Sequence, residues 1–313
     1  MRGNIMKKDF IAVSDYSPEE LQHLLDLAVA LKKEWKAGGN KPLLKDRVLA
    51  MIFQKPSLRT RVSFDMAMRH LGGDALYLSP AEIGLGKRES IADVARVLSG
   101  YVDIIMARVF AHEHVTELAK WASIPVINGL SDFNHPCQAM ADALTILEEF
   151  DTLKDKNVTF IGDGNNVAVS LMFIAAKLGA NFTLAAPEGY DMPAQTVETA
   201  RGFAAKNSSQ INLLRDPQKA VKDADVIYTD TWTSMGQEEE ARIREQAFAP
   251  YQVNEKLVAE ARPEAIVMHC LPAHRGQEIT NAVADGPHSR LFPQAHNRLH
   301  AQKAVLVYLL GEG

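Results

Sequence analysis

Residues 157–166 read Asn157-Val158-Thr159-Phe160-Ile161-Gly162-Asp163-Gly164-Asn165-Asn166. A short strand-like run, 157–161, meets a glycine-bounded loop and then a helical pattern over 166–179. Strand, tight loop and helix make the unit from which parallel sheets are wound. The same alternation runs outward in both directions. Strand-like segments precede it at 48–53, 75–78, 103–107 and 124–127, and follow it at 181–185, 211–214, 225–229 and 265–268. Helical patterns lie between most of them, at 61–70, 90–100, 112–122, 136–150 and 194–206. The expected fold class is α/β, with parallel sheets flanked by helices.

Two such domains are expected. The chain has 313 residues, and domains usually run ~100–200. Helix 136–150 ends in a charged stretch, 148–156, before strand 157–161 begins afresh, so the boundary is drawn there: 1–150 and 151–313. The first helix follows Ser17, with Pro18 in its first turn and Glu20 completing a capping box. Gly38 and Gly39 end it. The last helical pattern, 296–310, is amphipathic and can pack back on either domain.

Composition excludes several classes. Hydrophobic residues make up 47% and charged residues 23%, an ordinary globular balance. The net charge of -5 lacks the basic excess of a nucleic-acid binder. No apolar run approaches the ~18 residues of a membrane-spanning helix. The opening stretch has no apolar signal-peptide core, and the two cysteines, Cys137 and Cys270, fit free thiols in a reducing cytoplasm. They lack metal-pair spacing, and neither a metal nor an organic cofactor is indicated.

Five motifs carry chemistry. Ser57-Leu58-Arg59-Thr60-Arg61 opens a helix just after strand 48–53. Helix N-termini present unpaired N–H groups to anions, and hydroxyls and guanidinium groups add donors for phosphate. His135-Pro136-Cys137-Gln138 opens the next candidate, with His135 and Gln138 three apart at one helix start. Gly162 to Asn166 is an incomplete dinucleotide fingerprint, because the third glycine is missing. It still suits a ligand loop at a strand's carboxyl end. Asp230-Thr231-Trp232-Thr233-Ser234-Met235-Gly236 offers a carboxylate and hydroxyls after strand 225–229. His269-Cys270-Leu271-Pro272 ends strand 265–268, and Cys270 reads either as a nucleophile beside a base or as a buried inert thiol.

Together, in this order, the motifs resemble the aspartate/ornithine carbamoyltransferase family over about residues 8–310. The Ser234-Met235-Gly236 loop and His-Cys-Leu-Pro look like its ornithine branch. The resemblance implies transfer of the carbamoyl group of carbamoyl phosphate to the side-chain amine of L-ornithine, giving L-citrulline and phosphate. It implies that Ser57, Leu58, Arg59 and Thr60 hold the phosphate, Leu58 by its backbone alone because a second Thr is common there. Arg108 would bridge phosphate and carbonyl oxygen, His135 would bind that oxygen, Gln138 the carbamoyl amine, and Arg298 would complete the donor site. Asn166, Asp230, Ser234 and Met235 would hold ornithine. Cys270 and Leu271 would sit near the reacting amine, completing the carbamoyl phosphate site, with Asp230 and Cys270 handling the proton. The Leu271-Pro272 bond would be cis.

The resemblance also implies a homotrimer or a multiple of it. Related chains reach a neighbour's site with a Gln or His from the loop around 79–90; here that position is Gly84, and Lys87 is the substitute candidate. The last helix, about 296–311, is expected to cross back onto the first domain. Three rivals are a carbamoyltransferase for putrescine or an N-acylated ornithine, a nicotinamide-dependent dehydrogenase, and a non-catalytic sensor.

Overall fold

The computed structural model describes residues 7–233 and 238–311. It divides into two compact units. One comprises residues up to Met140 together with those from Arg298 onward, and the other is Ala141–Asn297.

The first unit is built on β1 (Val48–Phe53), β2 (Asp74–Leu78), β3 (Ile104–Arg108) and β4 (Val126–Leu130). They form one sheet in the order β2-β1-β3-β4, all pairs parallel. Its helices are α1 (Pro18–Lys36), α2 (Leu58–His70), α3 (Pro80–Ile83), α4 (Ile91–Ser99), α5 (His112–Trp121) and the start of α6 (Pro136–Phe150). Ala50, Ile52, Ile105 and Ala107 of the sheet pack with Ile91, Val94 and Ala95 of α4 and Val115 and Leu118 of α5. The alternate residues Leu49, Met51, Ile104 and Met106 are buried too. Both faces of β1 and β3 are therefore covered, which is why these two strands read as continuous apolar runs rather than alternating ones.

The second unit holds β5 (Asn157–Ile161), β6 (Asn181–Ala185), β7 (Ile211–Leu214), β8 (Val226–Thr229) and β9 (Ile266–His269). Their order is β7-β6-β5-β8-β9, again parallel throughout. The helices are α7 (Asn166–Lys177), α8 (Ala194–Lys206), α9 (Pro217–Val221), α10 (Ala241–Phe248), α11 (Glu255–Ala259), α12 (Asn281–Ala284) and the first turns of α13 (Leu291–Leu310). Ile161, Ile227, Val267, Trp232 and Phe248 share one core. Every residue of α7 from Val167 onward is buried, so this helix is enclosed on all sides.

The expected strands and the Ser17–Glu20 capping box are present. Differences arise at the ends. Helix α2 begins at Leu58 rather than 61, because Ser57 is its cap. Helix α13 begins at Leu291, ahead of Pro293, since a first turn tolerates proline. The short helices α3, α9, α11 and α12 are too brief to show periodicity in sequence. The two compact units divide within α6, after Met140, and the chain rejoins the first unit at Arg298. A helix is continuous in sequence whichever core each of its turns serves. The final helical residues pack in the first unit, where Lys303 Nζ donates to Asn40 Oδ1 at 2.5 Å.

Each sheet has one point where the chain reverses direction of winding. In the first it lies between β1 and β3, and in the second between β5 and β8. Ligands of open α/β sheets bind outside the carboxyl ends of strands at such points. Ser57 and Arg108 follow β1 and end β3; Asn165 and Asp230 follow β5 and β8.

Candidate active site

In the first unit, Ser57 caps α2 by accepting from Thr60 N–H at 3.3 Å. Leu58 opens the helix exposed, and its apolar side chain contributes no donor. Arg59 follows, half-buried, and Thr60 is buried. At the end of β3 the pairing with β4 slips between Ala107 and Arg108, a bulge that re-aims the Arg108 side chain. His135 precedes α6 in a loop fastened by polar residues: Ser131 N–H donates to Asn134 O at 3.0 Å, and Asn128 Nδ2 to Ile11 O at 3.1 Å.

Arg298 ties these pieces together. Its Nη1 donates to Gln138 Oε1 at 2.6 Å and to His135 Nε2 at 3.3 Å, and its Nη2 donates to Thr60 Oγ1 at 2.9 Å. Arg298, Gln138, His135 and Arg108 are all buried. A guanidinium only donates, so His135 Nε2 is an acceptor and the imidazole proton sits on Nδ1. Burial, followed by the positive charges of Arg298, Arg108 and Arg59, holds the His135 pKa well below its ordinary value. The result is a neutral imidazole among guanidinium groups at a helix N-terminus, chemistry suited to a phosphate and an adjacent polarised carbonyl. The expected residues Ser57, Thr60, Arg59, Arg108, His135, Gln138 and Arg298 are thus brought together. Lys87 is exposed, and among the described residues no hydrogen bond joins its side chain to this group. Gly84 ends α3 in the left-handed conformation, φ 55°, and its carbonyl accepts from both Lys87 and Arg88 N–H.

In the second unit, Asp230 is the centre. Its Oδ1 accepts from the Cys270 thiol at 3.0 Å and from Thr231 N–H at 2.8 Å, and its Oδ2 accepts from Asn165 Nδ2 at 2.8 Å. Asn166 is the first residue of α7, beside them in sequence. Gly164 is required because a Cβ there would lie 2.5 Å from Met192 N, a backbone atom that cannot give way. Cys270 is half-buried, and both cysteines are free thiols. The Leu271-Pro272 bond is cis and Leu271 has φ 58°. Ser234 and Met235 lie outside the described residues.

Two buried pairs brace this group, and neither was readable in sequence. Arg244 Nε donates to Trp232 O at 2.5 Å, and its Nη2 pairs with Asp163. Burial raises the Asp163 pKa, Arg244 opposes that rise, and the charge of Asp230 adds to it. His269 Nδ1 accepts from Leu271 N–H at 2.9 Å while its Nε2–H donates to Glu278 Oε1 at 2.9 Å. One donor atom each of Asp230, His269 and Cys270 lie within 4.8 Å of one another. Both ring nitrogens of His269 are engaged, so that cluster offers a metal only two ready ligands. Asn165 was also missed. Its N-cap role is legible from its type and place, but its amide contact with a residue 65 positions away is not.

Comparison with known proteins gives the family. Residues 8–148 match the carbamoyl-P binding domain of aspartate/ornithine carbamoyltransferase, and residues 154–309 its Asp/Orn binding domain. An ornithine carbamoyltransferase of Pyrococcus abyssi is 56% identical over 97% of this chain and 96% of its own. An anabolic ornithine carbamoyltransferase of Pyrococcus furiosus is 55% identical over the same shares. The solved ornithine carbamoyltransferase from Pyrococcus furiosus superposes with a TM-score of 0.95, at 55% identity and 97% coverage of each chain. With a helix start suited to an anion in one unit, a braced carboxylate and thiol in the other, and relatives matched over nearly their whole length, the chain belongs to the aspartate/ornithine carbamoyltransferase family.

Proposed function

We propose that the protein transfers the carbamoyl group of carbamoyl phosphate to the side-chain amine of L-ornithine, giving L-citrulline and phosphate. The donor half rests on one observation above all: the buried Arg298 guanidinium is shared among Thr60, His135 and Gln138. The choice of acceptor rests on relatives named ornithine carbamoyltransferase that match at 55–56% identity across 97% of the chain. The donor residues fall in 1–150 apart from Cys270, Leu271 and Arg298, and the acceptor residues in 151–313.

The reaction is acyl transfer. The amine nitrogen attacks the carbonyl carbon, negative charge develops on the carbonyl oxygen, and the bond to phosphate oxygen breaks. Ser57, Arg59, Thr60, the α2 N-terminus and the Leu58 backbone N–H hold the phosphate and stabilise the charge it gains on leaving. Arg108 and the single N–H of neutral His135 serve the oxyanion, the preorganised electrostatic part of catalysis. Gln138 and the Leu271 backbone orient the carbamoyl amine, with Arg298 and Cys270 completing the donor site. Asn166, Asp230, Ser234 and Met235 bind ornithine. An alkylamine has a pKa of ~10.4 in water, so the bound amine must shed a proton, and Asp230 with Cys270 receives it. Holding both reactants in position recovers much of the entropy cost of a bimolecular step.

The working assembly is a homotrimer or a multiple of it. Leu58, Val62 and Met66 expose an apolar stripe on α2, and Leu76 is exposed on the edge strand β2. Such a surface is suited to a second copy. Lys87, on an exposed loop, is the candidate to reach a neighbour's phosphate. Two free thiols suit a reducing cytoplasm. No helix among the described residues is long and apolar enough to cross a membrane.

The test is product formation from carbamoyl phosphate with ornithine, putrescine, N-acetylornithine or aspartate offered separately. Turnover with ornithine alone is expected. Preference for another acceptor would keep the donor half and overturn the acceptor assignment; no turnover with any would overturn the reaction.

A further inference from the structure

Asn165 ends in two different contacts. Its Oδ1 accepts from Val167 N–H and Ala168 N–H, both at 3.0 Å, and so caps α7. Only an oxygen can accept two backbone N–H bonds, which settles the orientation of the amide. Nδ2 therefore points at Asp230 Oδ2, 2.8 Å away, as a donor. The other Asp230 oxygen takes the Cys270 thiol at 3.0 Å. The first turn of a twelve-residue helix thus acts on Asp230 through one amide: the N–H groups draw electron density from Oδ1, and the Nδ2–H donation strengthens in consequence.

We infer that Asn165 is a positioning residue for the transfer, one that holds the Asp230 carboxylate by its far oxygen with Oδ1 turned toward Cys270. Without the amide donor, Oδ2 loses that bond while Oδ1 stays held by Thr231 N–H, and the carboxylate's charge, no longer shared with the amide, holds the Cys270 proton more tightly. This inference rests on the reading that the reacting amine lies beside Asp230 and Cys270.

The geometry separates the cap from the donor. Ser and Asp cap helices about as well as Asn, yet neither supplies an amide N–H. The Asn165→Ser variant should therefore keep the thermal midpoint of the wild-type enzyme, whereas Asn165→Asp keeps the cap but should melt lower near neutral pH because of the second carboxylate. In Asn165→Ser, kcat with ornithine should fall about tenfold, the scale of one hydrogen bond to a charged group. The KM for carbamoyl phosphate should stay within about twofold, since the donor residues are untouched. Asn165→Asp sets a second carboxylate against Asp230, and two neighbouring carboxylates share a proton readily. The acid limb of its pH profile for ornithine should move to higher pH.

A second readout does not depend on turnover. Burial pushes the Cys137 thiol up to about 12, so alkylation of the intact protein near neutral pH reports Cys270. The pH midpoint of iodoacetamide alkylation should rise by about one unit in Asn165→Ser and further in Asn165→Asp. Wild-type kinetics and an unmoved alkylation profile in both folded variants would overturn the inference. A wild-type enzyme that forms no citrulline would overturn the ornithine reading instead, and the alkylation profile would still decide the role of Asn165.

Discussion

The Arg298 guanidinium reaches His135 Nε2 at 3.3 Å, although 163 positions separate the two in the chain. The same group binds Thr60 and Gln138, so one side chain fastens the helix starts at 57 and 135 to each other. Lysine carries the charge but not the planar fork. Replacing Arg298 with Lys should lower kcat/KM for carbamoyl phosphate by roughly 10²–10³-fold, the cost of one preorganised donor. Steady-state kinetics at saturating ornithine would check this, and a loss under about threefold would show the fork to be dispensable.

Arg244 and Asp163 form a buried ion pair next to the Trp232 carbonyl. Breaking such a pair strands a buried charge and costs about 3–5 kcal/mol. Arg244→Met should therefore lower the melting temperature and raise the KM for ornithine while sparing that for carbamoyl phosphate. Adding Asp163→Asn should recover much of the stability but not the ornithine KM, because the Trp232 carbonyl remains unheld. Melting curves and kinetics on the three proteins distinguish the two effects.

The His300 side chain is buried, and burial followed by the charges of Lys303, Lys32, His70 and Lys36 lowers its pKa to about 3. An unfolded histidine titrates near 6.5, so between those values the unfolded chain binds the extra proton and the folded one does not. His300 therefore favours the fold fully above pH 6.5, and that contribution is lost as pH falls toward 3, by about 1.4 kcal/mol per unit within the window. His135 acts in the same direction. Urea unfolding from pH 7 to 4 should show falling stability, with a shallower slope in a His300→Gln variant. Equal slopes would remove His300 from the account.

Activity with ornithine should rise from pH 6 to 9. His135 is already neutral there, its pKa being held low by burial and by arginines, and the group that must lose a proton is the amine itself. A flat rate profile over that range would contradict the assignment.

Lys87 is exposed and remote in bonding from the phosphate group of residues in its own chain. If it serves a neighbour, Lys87→Ala should raise the apparent KM for carbamoyl phosphate several-fold without changing the melting temperature. An unchanged KM would sink the trans assignment.

Much was legible in the residues alone. The apolar runs at 48–53 and 157–161 became β1 and β5 because a strand covered on both faces has no polar side to interrupt it. Ser17, Ser57 and Asn165 cap helices where their side chains can accept from N–H groups two or three positions on. These are local rules, carried by neighbours in the chain. The roles of Arg108, His135, Gln138 and Asp230 came from family resemblance, since a histidine before a proline has no chemistry of its own. Tertiary structure alone decided which long-range partners meet: Asn165 with Asp230, Arg244 with Asp163, His269 with Glu278, and Arg298 with Thr60. It also decided that α6 and α13 each serve two cores. Buried polar groups must find partners wherever the folded chain brings them. That requirement acts through space, and sequence spacing carries no record of it.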